Sequence, residues 1–530
     1  MDFDFSALPQ RLFGPDRSLP GYLVSRWLFL RALGLIFFSA FFSLFFQIRG
    51  LIGPRGLLPA ADYLTEVSRA LGGWRFWFAP SVFWWSASDR ALLAVCIVGM
   101  LASLLLALNI WPRAMLTICL VGFLSFISAA QDFASYQSDG MLLEAGFISL
   151  FFVPDGWRPG WGTTDPPSWA SRFLLVWLMF RIYFESGIAK MLGRDPEWRN
   201  FTAMDQYYQN GPLPTWIAWY AQRLPHAFHA ATAVLTLVLE LFLIFAVFLP
   251  RRFRIPLFFL ITSWQVGIIL TSNYAFLNYL VLVLGFLLLD DKFLARLLPR
   301  SMRFASQNTS SVENRPPGVE GNRWQTRVRL WTQGFFLTWI FYATSALLAS
   351  MMLPLPLPEF PIRALEPFRF ANEFGLFAVM TRDRYEIEFQ GSNDGQTWTP
   401  YPFRYKPQAL DAAPKIYAPY QPRFDWNLWF ASLGKWRQYP FVVQVEERLL
   451  AGEPDVLALF ADNPFSGHPP QQIRAVLWQY WFSDSTAQRQ QGLWWRRERI
   501  GLYAPTLERG PNEKTVILEW PDDSSNAPEP

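Results

Sequence analysis

Hydrophobic and polar positions fall in long blocks along this chain. Trp27 to Phe46 is a run of twenty residues with one charge, Arg31, enough to cross about 30 Å of hydrocarbon as a helix. Comparable runs follow at 91–108, 114–130, 141–153, 173–192, 230–249, 256–271, 275–289 and 331–352. The pattern predicts nine spans, plus or minus two, because 141–153 and 275–289 are short enough to be re-entrant or half-buried. Residues 1–26 are polar and lack a small-residue cleavage pattern, which predicts a cytoplasmic segment before an uncleaved anchor.

The pattern changes after the last run. Residues 305–325 are polar around Pro316-Pro317-Gly318 and read as a flexible loop. Residues 353–361 alternate with proline and predict an extended polyproline linker. Beyond it, Arg384 to Gln390 alternates with period two and predicts a strand. Gly391-Ser-Asn-Asp-Gly395 supplies turn residues, and Thr397 to Tyr405 reads as the returning strand of a hairpin. Asp425 to Leu433 places Trp426, Trp429, Phe430 and Leu433 at helical spacing, and 470–482 reads as a strand or short helix. The organisation is a polytopic helical domain over 27–352, the linker, a β-rich soluble domain over 362–520, and a disordered acidic tail over 521–530.

Composition agrees with this division. The chain is 52% hydrophobic, 18% aromatic and only 17% charged, against about 25% charged in an average soluble domain. That excludes a disordered chain, a coiled coil and a charge-rich nucleic-acid binder. Two cysteines, Cys96 and Cys119, do not make a disulfide framework, and no Cys/His spacing suits zinc. With nine spans, Lys and Arg divide 17 against 8 between the two sides, the richer side including Arg26, Arg113, Arg251, Arg252 and Arg254. The bias predicts a cytoplasmic N-terminus and, for an odd number of spans, an extracytoplasmic C-terminal domain.

Catalytic signatures are missing from the sequence. It holds no G-x-S-x-G, Walker A or G-x-G-x-x-G pattern, so nothing calls for a cofactor. His226 and His229 lack an acidic third ligand nearby in sequence, which disfavours a metal. The informative residues are ionisable groups inside apolar runs: Glu144, Arg181, Glu185, Lys190 and Glu240. Arg181 and Glu185, at i,i+4, are expected to pair on one helix face. Lys190 lies near the end of its run, where it can snorkel. Glu240 has no cation at i±3 or i±4. The functional reading is a polar intramembrane cavity, and the structural reading is interhelical bonding that fixes the bundle. In the soluble half, Trp398, Trp426 and Trp429 are expected core aromatics. Arg382, Arg384 and Arg423 are expected to pair with Glu386, Glu388 and Asp425, and any exposed aromatics are expected to serve as protein-binding anchors.

Four soluble motifs carry a resemblance. Asn372-Glu-Phe-Gly-Leu-Phe-Ala-Val-Met-Thr381 contributes Asn372, Gly375 and Met380, and Gln390-Gly-Ser-Asn-Asp-Gly-Gln-Thr-Trp398 contributes Asp394, Gly395 and Trp398. Phe403-Arg-Tyr-Lys-Pro407 brings Lys406 and Pro407, and Gln421 to Ala431 brings Gln421, Pro422, Arg423, Asp425, Trp426 and Trp429. In this order they resemble the lipase maturation factor family, with Phe374, Gln390 and Phe424 standing where the family pattern has Tyr, Glu and Leu. Ser135 to Gly146 and Arg181 to Leu192 extend the resemblance into the membrane half, so that it covers about residues 25–480. It implies a non-catalytic membrane-bound folding factor with a lipase-like exported client, lipids around its spans and no nucleic acid. Two cysteines, both in spans, and Arg-dominated basic residues suggest a bacterial inner-membrane relative, or the endoplasmic reticulum membrane in a eukaryote. Tyr183-Phe-Glu-Ser-Gly-Ile-Ala-Lys190 is also similar to the membrane core of vitamin K-dependent gamma-carboxylase-like proteins, which implies, as the alternative, an embedded enzyme using Lys190 as base beside Glu185.

Overall fold

The computed structural model describes residues 8–16, 21–297, 323–510 and 514–522. The expected loop at 305–325 falls largely outside these residues, as do Asn308 and the tail from 523.

The N-terminal half is a helical bundle. Its labelled helices are α1 (Leu23–Phe45), α2 (Asp89–Ala107), α3 (Pro112–Ala129), α4 (Gln137–Ser149), α5 (Trp169–Leu192), α6 (Ala203–Asn210), α7 (His226–Leu241), α8 (Arg251–Thr271), α9 (Leu277–Gly285) and α10 (Arg323–Met352). Among the described residues six segments are long and apolar enough to cross a membrane: α1, α2, α3, α8, α7 with its 3-10 continuation to Phe248, and α10 from Arg327. The remaining three expected spans are helical but different in kind. α5 has ample length at 24 residues but carries Arg172, Arg181, Glu185 and Lys190. α4 is short, with almost every side chain buried, so neighbouring helices enclose it. α9 passes into a 3-10 turn at Phe286–Leu288.

Local chemistry sets the helix ends. Ser168 Oγ accepts from the Ser171 N–H at the start of α5, and Pro112 occupies the first turn of α3. α1 packs closely on α2 and α3 because Gly99 leaves room for Phe41; a Cβ on Gly99 would lie 2.6 Å from that ring.

Connections gather at the two ends of the bundle. At one end the Arg26 guanidinium donates to the carbonyls of Asp165 (2.7 Å) and Gly162 (2.8 Å), Asp291 accepts from the N–H groups of Leu23 and Val24, and Arg251 pairs with Asp290. Arg113 and Arg329 both pair with Asp155 and Asp165 there. The other end receives the C-terminal half.

That half holds a six-stranded antiparallel sheet: β1 (Arg384–Ser392), β2 (Thr399–Pro400), β3 (Gln472–Phe482), β4 (Trp495–Leu502), β5 (Thr506–Arg509) and β6 (Thr515–Glu519). The order is β2-β1-β3-β5-β6, with β4 also on β3, and Arg384 faces Tyr480 while Ser392 faces Gln472. The expected hairpin forms, with Gln390 opposite Pro400 and Gly391 opposite Thr399, but its returning strand is only two residues long, and Pro402 just beyond it cannot donate to a ladder. The long neighbour of β1 is β3. Two helices, α11 (Arg423–Ser432) and α12 (Phe441–Ala451), pack on the sheet, and the Ser432 hydroxyl donates to the Tyr385 carbonyl at 2.9 Å. The proline run ends in a short helix, Phe360–Arg363, rather than staying extended throughout.

Both faces of β1 are buried. Tyr385, Ile387 and Phe389 face one way, and the charged set faces the other against its own partners. Arg384 reaches Glu386 at 2.5 Å, Lys406 reaches Glu386 at 2.8 Å and Arg497 reaches Glu388 at 2.8 Å.

Candidate functional site: a clamped strap and the cleft above it

Residues 371–383, between the last bundle helix and β1, form no helix or strand. Buried backbone of this kind must find hydrogen-bond partners outside regular structure. It finds them on α4, α5, α6 and the short turn of helix at Pro196–Arg199 between α5 and α6. Arg181 Nη1 donates to the Asn372 carbonyl at 2.7 Å, and Glu144 accepts from the Asn372 N–H (3.2 Å) and side-chain amide (3.1 Å). Glu185 accepts from the Phe374 N–H at 2.8 Å, and the Ser186 hydroxyl from the Leu376 N–H at 3.2 Å. Lys190 donates to the Leu376 carbonyl at 2.8 Å, and Trp198 Nε1 to the Phe377 carbonyl at 2.9 Å. Asp195 accepts from the Met380 N–H at 2.6 Å, and the Asn210 amide donates to the carbonyls of Thr381 and Arg382. Gly140 makes room for the strap, since a Cβ there would lie 2.5 Å from Asn372 Oδ1.

The two cations of the clamp, Arg181 and Lys190, are shared among three carboxylates, Glu144, Glu185 and Glu240. Arg181, fully buried, pairs with Glu144 and, at 3.4 Å, with Glu185. The expected i,i+4 pair forms, yet Glu144 from α4 and the strap carbonyl share the same guanidinium. Lys190 does not snorkel. Its amine is buried and bonded to Glu240 at 2.9 and 3.1 Å, so Glu240 has its cation on the neighbouring helix. Glu185 is occupied by Arg181 and the strap, an arrangement unlike the Lys190–Glu185 pair of the enzymatic alternative.

A second set of contacts fixes the sheet domain to the bundle. Arg423 does not bind Asp425: it grips Asp139 with both ends of its guanidinium and donates to the Phe133 carbonyl at 2.6 Å. Asp425 instead accepts from the N–H groups of Tyr405 and Lys406, and burial pushes its carboxyl up to about 6 despite these bonds and the Lys406 charge. Arg382 pairs with Glu197 across the boundary. Arg384 donates to the carbonyls of Gln209, Gly211 and Pro212 at and just beyond the α6 C-terminus, where a cation is favoured. The Gln421 N–H and carbonyl bond to Ser43 and Gln47, and Pro422 precedes the first turn of α11.

Other expected site residues lie elsewhere. Asp394 and Gly395 form an exposed turn in which the N–H groups of Thr397 and Gln396 hold the Asp394 carboxyl well below the usual range. Trp398 is not core; it is partly exposed, with the Arg474 guanidinium 3.9 Å over its ring. Lys406 is buried and donates to the Ile387 carbonyl at 2.6 Å, with Pro407 next in the chain. His226 and His229 each bond one oxygen of Asp205. Among the described residues no group of three or more His, Cys, Asp or Glu is placed to hold a metal ion.

Between the strap, α11 and the segments around Ser135 and Gly211 lies a cleft of about 690 Å³. Tyr136, Phe377, Met380, Trp426 and Trp429 line it, with Val379 and Phe430 exposed at 59% and 38%. The buried indole N–H groups of Trp426 and Trp429 have no acceptor among the described residues. The cleft therefore offers partly exposed aromatic surface, which suits an extended apolar polypeptide segment. Sequence reasoning missed Asp139, Asp195, Asn210, Gln47 and Asn273, each of which holds C-terminal backbone or Arg423. Only Asp139 left a signal, an acid in the first turn of a helix.

Comparison with known proteins places this geometry in context. Residues 24–296 match the model described as lipase maturation factor transmembrane domain, and residues 370–505 match the lipase maturation factor C-terminal domain. Lipase maturation factor 1 of Bos taurus is 32% identical, over 93% of this chain and 91% of its own length. Lipase maturation factor 2 of Gallus gallus is 31% identical over 92% and 81%, and that of Homo sapiens 29% over 95% and 85%. No solved structure matches.

Proposed function

The chain belongs to the lipase maturation factor family, and on that footing we propose that it is a membrane-bound, non-catalytic factor that holds exported lipases or related proteins while they mature. The observation that carries this reading is the cleft: aromatic, partly exposed, and walled by the strap and by α11, both from the C-terminal half. A maturing client has exposed apolar side chains, and the partly exposed aromatic wall of the cleft meets that need. The polar groups of α5 serve the strap, which sets one wall of the cleft, so their role is positioning. The cleft lies at the end of the bundle opposite the Arg26, Arg113 and Arg251 cluster, which supports an extracytoplasmic position for it.

The test uses the full chain in its membrane. A photoreactive amino acid replaces exposed Val379, and an exported lipase is co-expressed. Light-dependent crosslinking to newly exported lipase, absent when the same group replaces exposed Val516 on β6, is the expected result. Equal crosslinking from both positions, or none from Val379, overturns the assignment of the cleft.

A further inference from the structure

A separate cavity of about 290 Å³ lies below the strap, between α5, α7 and α8. Its exposure grades from one end to the other. At the outer end Leu224 and Phe228 are exposed, and Gly267 opens a gap in the α8 surface where a Cβ would meet no atom within 4 Å. The surfaces flanking this mouth are apolar, with Val234, Leu235 and Val238 exposed on α7 and Val266 and Leu270 on α8. At the inner end stand the buried side chains of Tyr183, Lys190, Glu240 and Gln265. The mouth thus faces the hydrocarbon, and the polar end is deep.

We propose that this cavity binds a neutral lipid with a hydroxyl head, of the acylglycerol class, entering chain-last between α7 and α8. The head group follows from the inner wall. Lys190 and Glu240 already neutralise each other at 2.9 Å, so a charged head would bring an unbalanced charge into a low-dielectric site. A hydroxyl adds none. It donates to the Glu240 carboxylate, whose side chain retains 11% exposure, and accepts from Tyr183. The Tyr183 hydroxyl oxygen takes a bond from Gln265 at 2.7 Å, which leaves its own proton to give. The acyl chain then lies along Trp264 and Phe228 towards the mouth. Leu376 and Phe377 of the strap also border this cavity, so an occupant touches the back of the wall that the cleft uses.

The experiment uses the detergent-solubilised full chain and a monoacylglycerol carrying a diazirine in its acyl chain. Labelled peptides are mapped by mass spectrometry. Labelling concentrated on Phe228 and Trp264 is expected, reduced at least fivefold by excess monooleoylglycerol and unchanged by oleate or lysophosphatidylglycerol. Gly267→Trp plugs the mouth and is expected to abolish that labelling with an unaltered melting temperature, while Val266→Trp beside it leaves labelling intact. Labels spread evenly around the bundle, or labelling that survives Gly267→Trp, overturn the site. Competition by oleate or lysophosphatidylglycerol equal to that by monooleoylglycerol overturns the neutral head.

Discussion

Arg423 and Asp139 meet end-on across the boundary between sheet domain and bundle, Nη1 to Oδ2 at 2.8 Å and Nη2 to Oδ1 at 2.7 Å, both side chains 1% exposed. This two-point geometry is available to arginine alone. Removing either partner leaves an uncompensated buried charge, at a cost of about 3–5 kcal/mol. Arg423→Lys is expected to melt nearly as early as Arg423→Ala, because an ammonium cannot span both oxygens. Thermal melts of the purified chain in one detergent check this; full rescue by lysine would mean that simple charge suffices.

The clamp on α5 makes a related expectation. Arg181→Ala strands Glu144 and Glu185 together, so it should destabilise more than Glu185→Ala, which leaves Glu144 on the guanidinium. Combining the two changes should recover only part of the loss, since Glu144 is still unpaired. Lys190→Met should destabilise by stranding Glu240, and adding Glu240→Leu should restore most of the melting temperature. Additive losses in either cycle would contradict the pairing.

The Arg181–Glu185 pair was legible because i,i+4 spacing on a helix is local information. So were α11, β1 and the apolar runs. The Lys190–Glu240 and Arg423–Asp139 pairs were not, since they depend on how helices and domains are juxtaposed; the second spans 284 positions. The strap was visible as a motif, yet nothing in its residue types disclosed that ionisable residues of α5 hold its backbone. The alternation of β1 disclosed the strand and its charged face, but not that Lys406 and Arg497 from distant segments pair with the acids on that face.

Burial of Asp425 gives a pH dependence with a definite sign. Its folded-state carboxyl, raised to about 6, holds a proton more tightly than the unfolded one. Stability contributed by this group is therefore complete below pH 4 and lost as pH rises to about 6, a change of ~3 kcal/mol for a two-unit shift. Glu446, which burial also raises well above its usual value, extends the decline upward. Asp425→Asn should flatten the slope between pH 4 and 6 in denaturation curves; an unchanged slope would place the titrating groups elsewhere.

Topology is open to reporters and glycans. An enzyme reporter fused after Met352 is expected to be active only outside the cytoplasm, and one within 305–325 only inside. In microsomes Asn200, exposed in the sequon Asn200-Phe-Thr202, should be glycosylated and Asn308 should not. The reverse pattern would put the cleft on the wrong side for an exported client.

The most direct test of the central claim measures the specific activity of an exported lipase in cells whose own copy of this chain has been deleted. Wild-type chain should restore it. Val379→Arg and Phe430→Arg, which place charge on exposed positions of the cleft, should fail to restore it at normal membrane abundance and melting temperature, while Val516→Arg on β6 restores it fully. Full restoration by both cleft variants, or lipase activity indifferent to the deletion, would contradict the account.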